Sequence, residues 1–399
     1  MTKGFRQARA AWGAAALGLI AVVVLAASAC GSSKAPSSAA SSPTPPGSAI
    51  TIGAAVSLSG YLASFDTPFL HGAEAAAVAI NAQGGVLGHP LQIASLDVES
   101  TASTGLSVSE EILSQDHPVG MILGESSATT AADAPVLASD HVAAIVGSIA
   151  VPNSQWTFST LPTSVGASDL MISYAKNVLK AKSVGIITTE TPFGQALATL
   201  LATDATSSGM TVVASEGVPT SPTSLTAEVS AVASAGVILD GITGPDVVLE
   251  AEAAASLGLS VPIVMDEDVT SILQESAAKY ANIVFTGAYV QVYPDVSNSA
   301  LLSSIKGFLT TYDKQYGSDT TGDAYAAGRG WDAVQMFALA MREAHSTNSA
   351  DIQAKLLNMS YLGTQIYKFS PTQLNGVSGS AANVMAEVKN GKVVVVSTK

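Results

Sequence analysis

A group of small hydroxyl residues follows one of the apolar runs of this chain, and such residues can bind an anion. The run Val119–Leu123 is followed by Ser126 and Ser127, and Thr129 and Thr130 open the next helical segment. The free N–H groups of a helix N-terminus attract carboxylates, and an exposed helix end contributes about 0.3–1 kcal/mol. Ser126 or Ser127 could instead serve only as an N-cap, which is worth about 1 kcal/mol. The segment therefore indicates either a carboxylate site or an ordinary capped helix.

A second candidate group follows the first apolar run of the chain. Ser57 and Gly60 end that run, and the aromatic residues Tyr61 and Phe65 come next, in a segment that we predict to be a loop. Aromatic side chains at such a position either line a ligand pocket or pack beneath the loop.

The motifs of common enzymes are absent from the sequence. There is no G-x-S-x-G elbow, no P-loop and no G-x-G-x-x-G after an apolar run. The single cysteine is Cys30, and the carboxylates at Asp266–Asp268 have no opposed partner that the sequence identifies. Five scattered histidines have no metal-ligand partner at helical spacing: His71, His89, His117, His141 and His345. We therefore expect neither an enzyme nor a bound cofactor or metal.

Short apolar runs alternate with amphipathic helical stretches along most of the chain. Ile50–Leu58 is the first predicted strand, an irregular stretch is predicted at Val151–Ser164, and Ser183–Thr188 begins a second set. After Val290 the pattern is mostly helical, and Asn390-Gly391 predicts a closing hairpin. Buried strands that alternate with helices form parallel sheets covered on both faces. The predicted fold class is α/β, with two doubly wound parallel-sheet lobes.

The N-terminus has the pattern of an export signal. Three basic residues precede the apolar run Ala10–Ala26, and small residues lead to Cys30. This pattern resembles a bacterial lipoprotein signal, although Ala27 occupies the usual leucine position. We predict a signal peptide at 1–29, lipid attachment at Cys30 and a flexible Gly/Ser/Ala/Pro linker to residue 49. An uncleaved membrane helix is the alternative.

The charge of the chain disfavours nucleic acid as a partner. Without residues 1–29, it carries 14 basic and 31 acidic residues, a formal charge of −17. The remaining 370 residues exceed what one hydrophobic core usually serves, which also favours two lobes.

Several short segments occur in an order that is similar to a known family. They are Gly72-Ala73-Glu74, Ile80–Gly88, Pro192-Phe193-Gly194, Thr243–Asp246 and Trp331–Val334. Together they resemble the branched-chain amino-acid-binding (leucine/isoleucine/valine-binding) proteins, type I periplasmic receptors of ABC importers, over about residues 50–397. The resemblance implies two lobes joined by a three-strand hinge. Lobe 1 would comprise about 50–160 and 292–360, and lobe 2 about 161–291 and 361–399.

The resemblance also implies ligand contacts on the first lobe. Ser127 matches the serine that binds the ligand carboxylate, and Ser126 and Tyr61 are neighbouring candidates. Ile149 matches a position that offers a backbone carbonyl. Val151 stands where the family usually has a threonine, so a hydroxyl is lost there.

Further implied contacts involve two aromatic residues and an acid. Phe65 matches an aromatic that packs on the ligand side chain, and Phe193 takes the place of a tyrosine. Glu267 matches the carboxylate that pairs with the ligand ammonium, with Asp266 and Asp268 as competitors for that role. Two missing hydroxyls disfavour a strongly polar ligand, since each lost bond costs about 1–3 kcal/mol.

The resemblance implies a lipid-anchored receptor on the extracytoplasmic face of the cell membrane. It would bind a small amino acid or a related carboxylate or amide and deliver it to ABC permease and ATPase subunits. A sensor that reports to a membrane signalling partner is the alternative, and an enzyme is the third possibility.

Overall fold

The alternation of apolar and amphipathic runs produces two α/β lobes in the computed structural model of the chain. The structure describes residues 47–149, 154–162, 164–266, 268, 270–317, 324–377 and 383–396. The predicted signal peptide, Cys30 and most of the linker therefore lie outside the described residues, as do Val151 and Glu267.

The helices and strands follow one another in a regular βα order for the first two thirds of the chain. In chain order they are β1 (Ile50–Val56), α1 (Ala63–Ala82), β2 (Leu91–Asp97), α2 (Ala102–Asp116), β3 (Gly120–Leu123), α3 (Ser127–Ser139), β4 (Ala144–Val146), β5 (Thr157–Pro162), α4 (Ser164–Asn177), β6 (Ser183–Thr189), α5 (Pro192–Ser207), β7 (Thr211–Val218), α6 (Thr226–Val232), β8 (Val237–Gly241), α7 (Asp246–Ser256), β9 (Ile263–Met265), α8 (Thr270–Lys279), β10 (Ile283–Ala288), α9 (Ser299–Tyr316), α10 (Ala324–Ala344), α11 (Ser349–Leu356), β11 (Ser360–Leu362), β12 (Ile366–Lys368), β13 (Asn375–Val377), β14 (Asn383–Lys389) and β15 (Lys392–Val395).

The first lobe is built on a six-stranded sheet in the order β13-β5-β4-β3-β1-β2. All of its pairings are parallel. Every residue of β1 and β3 is buried, because helices cover both faces of the sheet. Such strands are apolar throughout, which is why the sequence shows continuous apolar runs.

The second lobe is built on a seven-stranded sheet in the order β15-β14-β10-β9-β8-β6-β7. The strands β6 to β10 pair in parallel, whereas β14 and β15 are antiparallel additions. Asn390 and Gly391 both have left-handed φ angles, of 52° and 71°. The hairpin predicted from Asn390-Gly391 is thereby confirmed.

The chain passes between the two sheets three times among the described elements. It leaves the first sheet after β5, returns after β10 and leaves again between β13 and β14. The α/β class and the doubly wound lobes agree with the prediction. The lobe boundary at 361 does not, because β13 pairs with β5 and so places 375–377 in the first sheet.

Two local predictions differ from the structure. The stretch predicted to be irregular contains β5, a buried strand whose polar threonine and serine positions concealed it. Phe65 lies in the first turn of α1 rather than in a loop, because α1 begins at Ala63, only two residues after Tyr61.

Helices α1 and α10 approach each other closely at two glycines. A Cβ at Gly72 would overlap the Ala327 carbonyl oxygen, and a Cβ at Gly330 would overlap the Phe69 carbonyl oxygen. The close approach brings α10 against the sheet of the first lobe. Among the helices of the described residues, none is both long and apolar enough to cross a bilayer.

Candidate ligand-binding site

A cleft lies between the carboxyl ends of the strands of the two sheets, the usual ligand position in open α/β sheets. It encloses about 600 Å³ of empty space, part of which is open to solvent. Its walls come from both lobes: Tyr61, Leu62, Phe65, Glu125, Ser127, Ser148, Ile149, Leu161 and Tyr325 from the first, and Thr191, Phe193, Ile242, Thr243 and Asp266 from the second.

The two serines before α3 have different roles. Ser126 is the N-cap, and its Oγ accepts a hydrogen bond of 3.1 Å from the Thr129 N–H. Ser127 lies in the wall of the cleft, and its side chain makes no hydrogen bond within the part of the chain that the structure describes. The capping role therefore belongs to Ser126, whereas Ser127 faces the cleft, and its binding of a carboxylate stays a prediction.

A hydroxyl network fixes the end of β4 beside Ser127. Thr130 Oγ1 and Ser148 Oγ lie 2.7 Å apart, and the Ser159 hydroxyl donates to the Ser148 carbonyl. Thr160 Oγ1 donates to the Val146 carbonyl at 3.0 Å. These bonds hold Ile149 at the cleft wall, so β5, which was not predicted from the sequence, supports the site directly.

The predicted aromatic residues gather at the cleft. Tyr61 and Phe65 line it from the first lobe and Phe193 from the second. Phe65 lines the cleft from the first turn of α1, and its side chain is largely buried. Burial, followed by the negative charges of Asp66 and Asp246, raises the pKa of Tyr61, so its phenol stays protonated and able to donate.

The two lobes touch across the mouth of the cleft. Gly244, on the loop after β8, has a φ of 79°, and a Cβ there would lie 3.0 Å from the Tyr61 carbonyl oxygen. Its N–H donates to Asp268 Oδ2 at 3.0 Å. Asp268 therefore positions the loop that meets the first lobe.

The acidic cluster after β9 divides its roles. Asp266 lines the cleft, and its Oδ1 accepts a hydrogen bond of 2.9 Å from Thr286 Oγ1. Asp268 holds the Gly244 loop, and Glu267 is outside the described residues. Of the two described acids of this cluster, Asp266 is thus the one that the structure brings to the cleft.

A buried charged group beneath the cleft was not predicted from the sequence. Arg329 of α10 is fully buried, and its Nη2 forms an ion pair with Glu125 and also donates to the Gly147 carbonyl at 2.7 Å. Its Nη1 donates to the Tyr325 hydroxyl at 2.6 Å. Asp66 accepts the N–H groups of Ser57 and Glu125 at 2.6 and 2.7 Å. In the sequence, Arg329 is a charged residue among small and apolar neighbours at the start of α10, which is the one sign of a buried charge. Its partner Glu125 lies 204 residues away, so the pairing could not be predicted.

Burial governs the ionisation of this group. Desolvation raises the pKa of Glu125 to about 7, although Arg329 opposes the rise, and it raises the pKa of Asp66 to about 6. A Cβ at Gly124 would overlap the Asp66 carboxylate, so the glycine there lets α1 approach the β3–α3 loop.

The structure brings together five of the eight predicted ligand residues: Tyr61, Phe65, Ser127, Ile149 and Phe193. Ser126 caps a helix instead of lining the cleft, and Val151 and Glu267 lie outside the described residues. Within the described ranges, no group of three histidine, cysteine or acidic residues could hold a metal ion. The arrangement suits a small organic molecule gripped between two lobes.

A two-lobed α/β body with a polar and aromatic cleft between its sheets defines a small-molecule-binding protein of the clamshell type. The family model described as periplasmic binding protein matches residues 49–391. The chain belongs to this family, which functions outside the cytoplasm. Family members bind ligands and are not enzymes, so that prediction is confirmed, as is the family resemblance.

Solved structures of the same fold cover nearly the whole body. An extracellular ligand-binding receptor from Rhodopseudomonas palustris HaA2 has a TM-score of 0.79 at 17% identity, over 87% of this chain and 99% of its own. The branched-chain amino acid transporter substrate-binding protein LivJ from Streptococcus pneumoniae, in complex with isoleucine, has a TM-score of 0.74 at 23% identity, with 87% and 99% covered. The leucine-binding protein LivK from Thermotoga maritima has a TM-score of 0.73 at 20% identity, with 87% and 98% covered. No curated protein sequence matched this chain.

Proposed function

We propose that this chain is the lipid-anchored, extracytoplasmic solute receptor of an ABC importer. Its ligand is a small amino acid, or a related carboxylate or amide, with an apolar part. The observation that carries the proposal is the cleft, in which a helix N-terminus with Ser127 faces the aromatic ring of Phe193 from the opposite lobe.

The first lobe supplies the carboxylate site. The Ser126 cap takes the Thr129 N–H, which leaves the N–H groups of Ser127 and Ala128 at the start of α3 without an acceptor in the helix. A ligand carboxylate would accept these N–H groups and the Ser127 hydroxyl.

The second lobe favours a ligand with an apolar part. Phe193 lines the cleft without a hydroxyl, at a position where the family resemblance implies a tyrosine. Each hydrogen bond lost at a polar group costs about 1–3 kcal/mol, so a ligand that needs a phenolic partner binds weakly here. An aliphatic or aromatic ligand group instead gains by covering the ring.

Lobe closure couples binding to transport. A ligand docks first against Ser127 and its neighbours, and Phe193, Thr243 and Asp266 complete the site only when the lobes meet. Contacts that exist in one state alone can shift the equilibrium between open and closed forms. A permease would then recognise the closed form.

Cys30 is the proposed anchor. A lipid on this residue, followed by the linker, would hold the body near the membrane surface while the cleft works in water. Metabolic labelling with a palmitate analogue tests this: the native chain should incorporate label and sediment with membranes, and Cys30→Ser should do neither. Equal labelling of both would refute the anchor.

The ligand class is tested by calorimetry of the soluble body, residues 47–399, against amino acids, primary amides and monocarboxylates, together with native mass spectrometry of what co-purifies. We expect saturable 1:1 binding to a solute with an apolar part, and a smaller radius of gyration in X-ray scattering on binding. Tight binding of glutamate, or no binding across the panel, would contradict the proposal.

A further inference from the structure

The first-lobe wall of the cleft contains a carboxylate that the family resemblance does not assign. Glu125 lines the cleft although its side chain is only 7% exposed. Asp266 faces the same space from the second lobe, and no lysine, arginine or histidine is among the described residues that line it. The cleft therefore offers acidic groups from both sides.

Only one oxygen of Glu125 is occupied by the protein. Arg329 donates to Oε1, and among the described residues the bonds of the Glu125 side chain go to Oε1 alone, which leaves Oε2 available. Arg329 itself is fixed, because its other contacts go to the Gly147 carbonyl and the Tyr325 hydroxyl. The ion pair thus aims the second oxygen and prevents Glu125 from turning away.

The charges beneath the cleft are not balanced. Among the described residues, Asp66 and Glu125 share one cation, Arg329, which leaves one excess negative charge when both acids are ionised. Burial raises the pKa of both carboxyl groups, the usual result when a buried charge lacks full compensation. A donor group on the ligand would supply that compensation from the cleft side.

We propose that Glu125 is a specificity-determining ligand residue, whose Oε2 accepts a hydrogen bond from a nitrogen donor of the solute, either an ammonium or an amide N–H. This assignment rests on the proposed function and narrows its substrate class. The protein selects amino acids and amides over carboxylates that have no nitrogen. A second carboxylate on the ligand is rejected, because it would face Glu125 without a cation to pair with.

The test uses solutes that share a carbon skeleton. They are L-leucine, 4-methylpentanoate and 4-methylpentanamide, and L-phenylalanine, 3-phenylpropanoate and 3-phenylpropanamide. The wild-type body should bind the nitrogen-bearing members of a set more tightly than the plain carboxylate. In Glu125→Gln, Arg329 holds the amide oxygen, so the amide NH2 group faces the cleft and opposes a ligand donor.

We expect Glu125→Gln to reduce the preference for the nitrogen-bearing solute about 10-fold to 150-fold, the range for a hydrogen bond to a charged group. Asp66→Asn is the matched control, since it removes a charge from the same buried group at a residue that does not line the cleft. Because Asp66→Asn removes the excess charge but leaves the Glu125 acceptor in the cleft wall, it should reduce the preference by less than Glu125→Gln does. An equal reduction in the two variants would overturn the direct role of Glu125, and general damage would weaken all solutes alike. If Glu125→Gln does not fold by circular dichroism, the double variant Glu125→Met with Arg329→Met removes both charges and should show the same loss.

The outcomes separate the two proposals. An unchanged preference in Glu125→Gln, with tight binding retained, would overturn the role of Glu125 and leave the receptor function intact. A wild-type protein that prefers the plain carboxylates would do the same. Failure of the wild type to bind any of the six solutes would overturn both the role of Glu125 and the proposed ligand class.

Discussion

Neighbouring serines at the start of α3 should respond to alanine substitution in opposite ways. Ser126 accepts the Thr129 N–H at 3.1 Å and does not line the cleft. Ser127 lines the cleft, and its side chain makes no hydrogen bond within the described residues. The two substitutions remove the same atom from adjacent positions, so each is the control for the other.

The magnitudes follow from these contacts. Loss of the Ser126 cap should lower the free energy of unfolding by about 1 kcal/mol, which corresponds to a fall in Tm of about 2 °C or less for a body of this size. Loss of the Ser127 hydroxyl removes no contact within the described protein and should leave Tm unchanged. It should weaken binding by about 1–3 kcal/mol, roughly 5-fold to 150-fold in Kd.

The assay combines differential scanning calorimetry of the ligand-free proteins with titration calorimetry. The titrant is the tightest-binding solute of the amino-acid, amide and monocarboxylate panel. Ser126→Ala should change Tm and leave Kd within about threefold, and Ser127→Ala should do the reverse. If Ser126→Ala weakens binding as much as Ser127→Ala, or if Ser127→Ala lowers only Tm, the separation of cap and ligand contact is wrong.

Two further predictions concern stability. Asp240 and Glu250 are buried carboxylates of the second lobe, and burial, reinforced by repulsion between neighbouring carboxylates, raises both pKa values well above their usual range. A carboxyl group whose pKa is raised by folding stabilises the folded protein fully at pH values below its unfolded-state pKa, which is near 4.5 for glutamate. This stabilisation is lost as the pH rises through the folded-state pKa. Glu250→Gln should therefore gain Tm relative to the wild type as the pH is raised above 4.5, and a constant difference in Tm would contradict the assignment. Gly72→Val should lower the free energy of unfolding by more than about 2 kcal/mol, because the new side chain would overlap the Ala327 carbonyl. Urea unfolding that matches the wild type would refute the close crossing of α1 and α10.

Much of the fold could be predicted because its signals are local. Strands such as β1 and β3 are covered on both faces, so they appear as continuous apolar runs that a short window detects. The hairpin at Asn390-Gly391 is equally local, since its turn requires left-handed backbone angles. Strand β5 was missed because its buried positions include Thr157, Ser159 and Thr160. The hydroxyls of Ser159 and Thr160 bond within the fold.

The candidate site was only partly predictable. Residues after strand ends, such as Ser127, Tyr61 and Phe193, could be proposed because parallel strands place their carboxyl ends at one edge. The sequence could not assign different roles to Ser126 and Ser127, because a cap and a cleft residue have the same composition and differ only in direction.

The sequence by itself determined the α/β class, the two-lobed body and the serines, aromatics and acids from which a cleft could be made. These depend on interactions between residues close along the chain or on periodic burial. The tertiary structure decided that Glu125 and Arg329, 204 residues apart, meet beneath the cleft, and that Asp268 holds a loop while Asp266 faces the ligand space. Pairing across such distances depends on how helices and strands pack in three dimensions, and a buried charge shows its partner only when the chain has folded around it.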